Sequence, residues 1–127
     1  MRIENESALD RCRYAVACEY CGKKSRTGRD PAHIFPRGLG DAKRLDIDVN
    51  LVALCREDHS RSHAGGSPTK SELLAIAAER EKTTVEAITE VVHFILRQPK
   101  GTVLAKVDVS ELSDEAVLLL KRTTTAE

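Results

Sequence analysis

The 127-residue sequence predicts an α+β fold in which a cysteine- and histidine-rich first half precedes a mostly helical second half. Three observations carry this reading. Gly65-Gly66-Ser67-Pro68 is a flexible pair followed by a helix start, and it divides the chain into 1–66 and 67–127. All four cysteines and three of the four histidines (His33, His59 and His63) lie before that break. After it, apolar residues recur at helical spacing and reactive side chains are almost absent. The chemistry is therefore expected in residues 1–66.

Composition narrows the function classes. Apolar residues make up 41% and charged residues 31%, a globular balance. No run approaches the roughly 18 apolar residues that span a bilayer, and the N-terminus has no signal-peptide h-region, so a membrane or secreted protein is not expected. Aromatic residues are only 3%, which argues against a base-stacking platform for single strands. Lysine plus arginine and aspartate plus glutamate are 20 each, but residues 1–66 hold 12 cations against 10 acids. Between Lys23 and Arg44 there are seven cations against Asp30 and Asp41, a segment able to hold phosphates in an otherwise neutral chain.

The elements follow in order. Cys18-Glu19-Tyr20-Cys21 with Gly22 is a knuckle, two thiolates on one tight turn, glycine letting the backbone curl round an ion. The second arm is Cys55-Arg56-Glu57-Asp58-His59, with His63 beyond it. Zinc takes four ligands, so Cys18, Cys21 and Cys55 need one of Asp58, His59 or His63 to close the shell. A redox reading of the C-x-x-C lacks its βαβ context. Cys12 lies outside both arms and reads as a small buried hydrophobe. In the second half, Thr69-x-x-Glu72 and Thr83-x-x-Glu86 have the capping-box pattern. Val85, Ile88, Val91, Val92, Ile95 and Leu96 form an apolar helical stripe that Pro99 and Gly101 end, with His93 a boundary residue beside it. Residues 102–109 read as a short strand or extended arm, and Ser113 as the cap of a last helix. Its leucines Leu118, Leu119 and Leu120 need a partner surface, either the preceding helix or a second subunit.

Between the two arms lie Ala32-His33-Ile34-Phe35-Pro36-Arg37 and Asn50-Leu51-Val52-Ala53-Leu54-Cys55. A C-x-x-C, H-I-x-P, N-x-x-x-L-C and H-x-x-x-H in this order resembles the HNH endonucleases, in the subclass whose ββα-metal motif is framed by zinc-binding turns. The resemblance covers about residues 15–64 and implies a zinc-stabilised ββα-metal core over 12–66, with residues 67–127 as a helical extension. It implies a metal-dependent endonuclease that hydrolyses DNA phosphodiester bonds. His33 would be the general base on the first strand, and Asn50 on the second strand would hold it by hydrogen bonding. His59 would bind a catalytic divalent ion such as Mg²⁺, Mn²⁺ or Ni²⁺ with His63, which shares its helix face at i+4. Lys23, Lys24, Arg26 and Arg37 would grip backbone phosphates, which fix position rather than sequence. The resemblance further suggests a small phage or bacterial protein, cytoplasmic, with the C-terminal helices available for a homodimer. Two positions depart from the family pattern. Ala32 stands where many members carry a metal ligand, with Asp30 the nearest stand-in, and Asp58 stands where many carry a fourth cysteine. Asp58 is the preferred fourth zinc ligand, since its carboxylate can bind zinc and the catalytic ion of the resemblance then keeps both His59 and His63. The alternative is a catalytically inactive HNH-like zinc module that binds DNA or a protein partner.

Overall fold

The computed structural model describes residues 1–24, 28–35 and 44–125. Among these residues the chain is α+β, with five helices and one two-stranded antiparallel sheet. In order the elements are α1 (Glu6–Arg13), β1 (Asp30–His33), β2 (Leu51–Leu54), α2 (Arg56–His63), α3 (Lys70–Glu81), α4 (Val85–Arg97) and α5 (Asp114–Thr125). Short 3₁₀ turns precede β2 at Asp48–Asn50 and interrupt the α4–α5 connection at Leu104–Lys106.

The sheet is the pivot. Asp30 pairs with Leu54, Pro31 with Ala53, Ala32 with Val52 and His33 with Leu51. All four residues of β2 are buried, because the strand is covered on both faces and alternation sends its side chains to different partners. Leu51 and Ala53 pack with Ala8, Leu9 and Cys12 of α1, whereas Val52 and Leu54 join the larger cluster that includes Leu73, Ala77, Ile88, Val91 and Leu119. Residues from both sides of Gly65-Gly66 thus share one core. Asn5 caps α1, its side chain accepting from the amide of Ala8. Cys12 is fully buried, and that burial pushes its thiol up to about 11, so it behaves as an inert hydrophobe.

Arg80 ties the halves together. From α3 it reaches both carboxylate oxygens of Glu19 at 3.0 and 2.8 Å and the carbonyls of Asp48 and Leu51. Glu19 in turn accepts from the amide of Ala53 at 2.8 Å, anchoring the C-x-x-C turn to β2.

In the second half, Thr69 and Glu72 form the expected reciprocal capping box at the start of α3. At α4 the cap is Thr84, one residue later than expected, its side chain accepting from the amide of Ala87. Ile88, Val91, Val92 and Ile95 are buried, each contributing about 1.5–3 kcal/mol of transfer free energy. Residues 102–109 form neither a strand nor a straight arm, since the turn at Leu104–Lys106 drops Leu104 into the core. The Ser113 hydroxyl accepts from Ala116 and so caps α5. Leu119 and Leu120 are buried where α5 packs on α4, and Leu118 points outward, 62% exposed. Among the described residues no helix is long and apolar enough to cross a membrane.

Candidate functional site

The sheet and α2 create two adjacent sites, and the helix sorts side chains between them. Successive helical residues project about 100° apart, so Asp58 and His59 cannot face the same way, whereas His59 and His63 at i+4 must.

On the first side Asp58 is 1% exposed and faces the cysteines. One ligand atom from each of Cys18, Cys21, Cys55 and Asp58 lies within 4.8 Å of the others, close enough to hold a metal ion. Cys18 Sγ donates to Asp58 Oδ2 at 3.3 Å, and the sulfurs of Cys21 and Cys55 are 3.9 Å apart. The knuckle closes as a tight hairpin, Cys18 N–H donating to the Lys23 carbonyl at 3.0 Å and Gly22 N–H to the Cys18 carbonyl at 2.9 Å. Gly22 has φ +76°, the left-handed conformation that a side chain would strain. Gly28 is held more strictly, because a Cβ there would meet the Arg13 carbonyl oxygen at 2.7 Å.

The electrostatics suit a cation. Burial pushes the Cys55 thiol up to about 12, with its hydrogen bond to Asp58 adding to the rise. Cys21 is raised chiefly by its hydrogen bond to Asp58. Burial alone would raise Asp58, but the three thiols and Arg61 donate to it and bring its value down to about 2. A dication bound here would displace the Cys21 and Cys55 protons and sit beside the anionic Asp58 carboxylate. Neither His59 nor His63 belongs to the cluster.

On the second side, His33, His59 and His63 line one open cleft of about 400 Å³, together with Ala32, Ser62, Lys70 and Leu73. His59 Nδ1 lies 3.1 Å from Asp30 Oδ2, and its Nε2 lies 3.0 Å from His63 Nε2. With the carboxylate accepting at Nδ1, the His59 lone pair sits on Nε2, turned toward His63. Two imidazole nitrogens thus converge on one side of α2, with a carboxylate behind one ring. Asp30 shares the strand face of Ala32, two residues upstream, and acts on the ring of His59 from there.

His33 stands at the end of β1 with its side chain 7% exposed. Asn50 does not bond the ring, and Asp46 Oδ1 lies 2.8 Å from His33 Nε2. Asn50 is also not on the second strand. It ends the 3₁₀ turn before β2, fully buried, where its side chain accepts from Phe35 N–H at 2.8 Å and donates to the carbonyls of Phe35 and Leu45. It pins the two backbone segments that flank His33 rather than the His33 ring itself. Asp46 is held in turn by Arg44, with Nε at 3.0 Å from Oδ1 and Nη2 at 2.8 Å from Oδ2, and by the Asn5 amide at 3.1 Å. Burial raises the Asp46 carboxyl, but these donors outweigh it and hold its value below the ordinary 3.8.

The basic segment is less available to phosphates than its charge suggests. Arg29 is 5% exposed and is spent on the knuckle, donating to the carbonyls of Val16 at 3.0 Å and Lys23 at 2.8 Å. Arg44 serves Asp46. Lys23 and Lys24 are exposed, Lys23 lying 3.5 Å from Glu57, and Arg26 and Arg37 fall outside the described residues. Lys70, which sequence reasoning did not single out, lines the cleft from the start of α3, its Nζ 4.0 Å from the Phe35 ring centroid. His93 is exposed and meets the Phe35 ring edge-on.

No family model, curated protein or solved structure matches the chain.

Proposed function

We propose that the chain is a metal-dependent endonuclease of the HNH type, hydrolysing DNA phosphodiester bonds in the cleft lined by His33, His59 and His63. The observation that carries this reading is the convergence of those three histidines from β1 and α2 on one open cleft beside a separate thiol–carboxylate cluster. In this reading β1, β2 and α2 are a ββα-metal core. Three thiols and a carboxylate are a donor set suited to structural zinc, so Cys18, Cys21, Cys55 and Asp58 hold Zn²⁺ and fix the knuckle to α2.

His59 and His63 hold a catalytic divalent ion (Mg²⁺, Mn²⁺ or Ni²⁺), which when bound supplies positive charge for the departing 3′ oxygen. His33 takes the proton from the attacking water, a role its ring can fill at neutral pH. Asp30 keeps the His59 ring turned toward His63. Lys70 at the cleft and Lys23 and Lys24 near the knuckle supply cations for backbone phosphates, contacts that position DNA without reading its sequence.

A second reading is favoured by Ala32. With alanine at that position, His59 and His63 offer the cleft two ligands, and a non-catalytic zinc module that binds DNA or a protein would need no more. A supercoiled-plasmid nicking assay separates the two. For the nuclease, wild-type protein nicks in the presence of Mg²⁺, Mn²⁺ or Ni²⁺, stops in EDTA, and loses about 10²–10⁴-fold in rate on His33→Ala while keeping its fold. Absence of nicking by the folded wild type in all three metals would establish the binding module instead.

A further inference from the structure

We propose that Arg61 is a positioning residue for the thiol–carboxylate cluster. Its guanidinium occupies Asp58 Oδ1 and leaves Oδ2 as the one carboxylate oxygen that ligates the metal. This assignment rests on the reading of the cluster as a structural zinc site and does not depend on the nuclease reading. A carboxylate offers two oxygens, and a four-coordinate site with three thiolates takes only one of them. Which oxygen is used, and whether the other stays away from the ion, is decided outside the four donors.

The division is visible at Asp58. Oδ2 faces the sulfurs, 3.3 Å from Cys18 Sγ, whereas Oδ1 accepts from Arg61 Nη2. Asp58 is 1% exposed, so water has little access to either oxygen and the arginine is the partner that replaces it at Oδ1. Arg61 lies three residues on along α2, a spacing that brings the two side chains together on the helix surface. The Arg61 side chain is itself 64% exposed, so it delivers a donor to a buried carboxylate without burying a second charge. Its backbone is also fixed, because the Arg61 carbonyl accepts from Gly66 N–H at 2.8 Å where the chain leaves α2.

Charge favours the same arrangement. Three thiolates and a carboxylate outweigh the charge of a zinc ion, so the loaded cluster is anionic. Arg61 brings a cation into contact with that excess and does so through the carboxylate, leaving the sulfurs to the metal. Partners that hydrogen-bond a ligand from behind fix its orientation and raise the affinity of the site. Without Arg61, Asp58 turns freely, Oδ1 competes for the ion, and the single-oxygen geometry is lost.

The test uses the full chain, comparing wild type with Arg61→Met and Arg61→Lys. Zinc affinity is read by competition with a chromogenic chelator, and coordination by the visible absorption of the Co²⁺-loaded protein. We expect Arg61→Met to weaken zinc binding by about 10–100-fold. Its Co²⁺ bands should depart from the intense four-coordinate pattern of the wild type, and Arg61→Lys, which restores a donor and a charge, should recover most of both. Zinc held equally by wild type and Arg61→Met would overturn the proposal alone. A fall in affinity with an unchanged Co²⁺ spectrum would also overturn it, since Arg61 would then act through charge and not through the choice of oxygen. Should Arg61→Met fail to fold, X-ray absorption of the zinc-loaded wild type decides, three sulfurs with one oxygen supporting the assignment and a second carboxylate oxygen overturning it. A wild type that takes up no zinc at the cluster overturns the zinc reading and the proposal with it.

Discussion

The thiol–carboxylate cluster and the histidine cleft meet at α2, yet they differ in the properties that decide what a metal would do there. The cluster brings four donor atoms within 4.8 Å, with Cys18, Cys55 and Asp58 buried and Cys21 at the surface. The cleft is open, and its two candidate ligands, His59 and His63, leave room for other partners. A closed shell of four protein donors leaves no position for a substrate, whereas a site with open positions is the form that catalysis requires. Position on the helix makes the difference. Asp58 and His59 are neighbours in sequence, and one residue's rotation about α2 sends the first to the thiol cluster and the second to the cleft.

The largest expected effect breaks the cluster. Cys55→Ser should lose the structural ion altogether and unfold residues 1–66, since structural zinc sites contribute on the order of 10 kcal/mol of apparent folding free energy. Elemental analysis and circular dichroism check it, and a folded, metal-free variant would remove the cluster's structural role.

Asn50→Ala addresses the frame of the cleft. It deprives the Phe35 amide and two buried carbonyls of their partners, and should cost about 2–4 kcal/mol in denaturant unfolding with the structural metal retained. A value near zero would mean that the buried amide is not what pins Phe35.

Asp30→Asn sharpens the comparison from the cleft side. Loss of the carboxylate behind His59 should weaken divalent binding at the cleft by about 10–100-fold and leave the zinc content unchanged. Equal loss from both sites would show that they are not separate.

The smallest effect is a pH dependence. The Asp46 carboxyl lies below its ordinary value of 3.8 in the folded protein, so its contribution to stability is complete above that value and is lost as pH falls through the lowered one. Asp46→Asn should therefore be less stable than wild type at neutral pH, and the two curves should converge in strong acid. Parallel curves across the acid range would show that Asp46 gains nothing from being ionised.

Much of the cluster was legible in the sequence because metal ligation leaves a spacing signal. Cys18-x-x-Cys21 and Cys55-x-x-Asp58 are two arms of equal spacing, and the need to keep His59 and His63 together pointed to Asp58. The helices of the second half were legible through apolar periodicity and capping residues, to within one residue at Thr84. Tertiary hydrogen bonds were not. Asp46 holds His33 across 13 residues of sequence, and nothing in the local pattern distinguishes it from Asp48, which is partly exposed two positions on. Asn50 could be recognised as special but not assigned its partners, because a buried amide serves a backbone as readily as a ring. α1 carried a signal that went unread, Asn5 as cap with Leu9 and Cys12 at helical spacing. Within the basic segment, charge does not reveal burial, and Arg29 and Arg44 face inward while Lys23 and Lys24 are exposed.

The most direct test of the separation between the two sites is a calorimetric titration of Ni²⁺ into the zinc-loaded protein, comparing wild type with the double variant His59→Ala/His63→Ala. One Ni²⁺ site is expected in the wild type and none in the variant, with the same zinc content and fold in both. Loss of zinc with the two histidines, or Ni²⁺ binding that survives their removal, would contradict it.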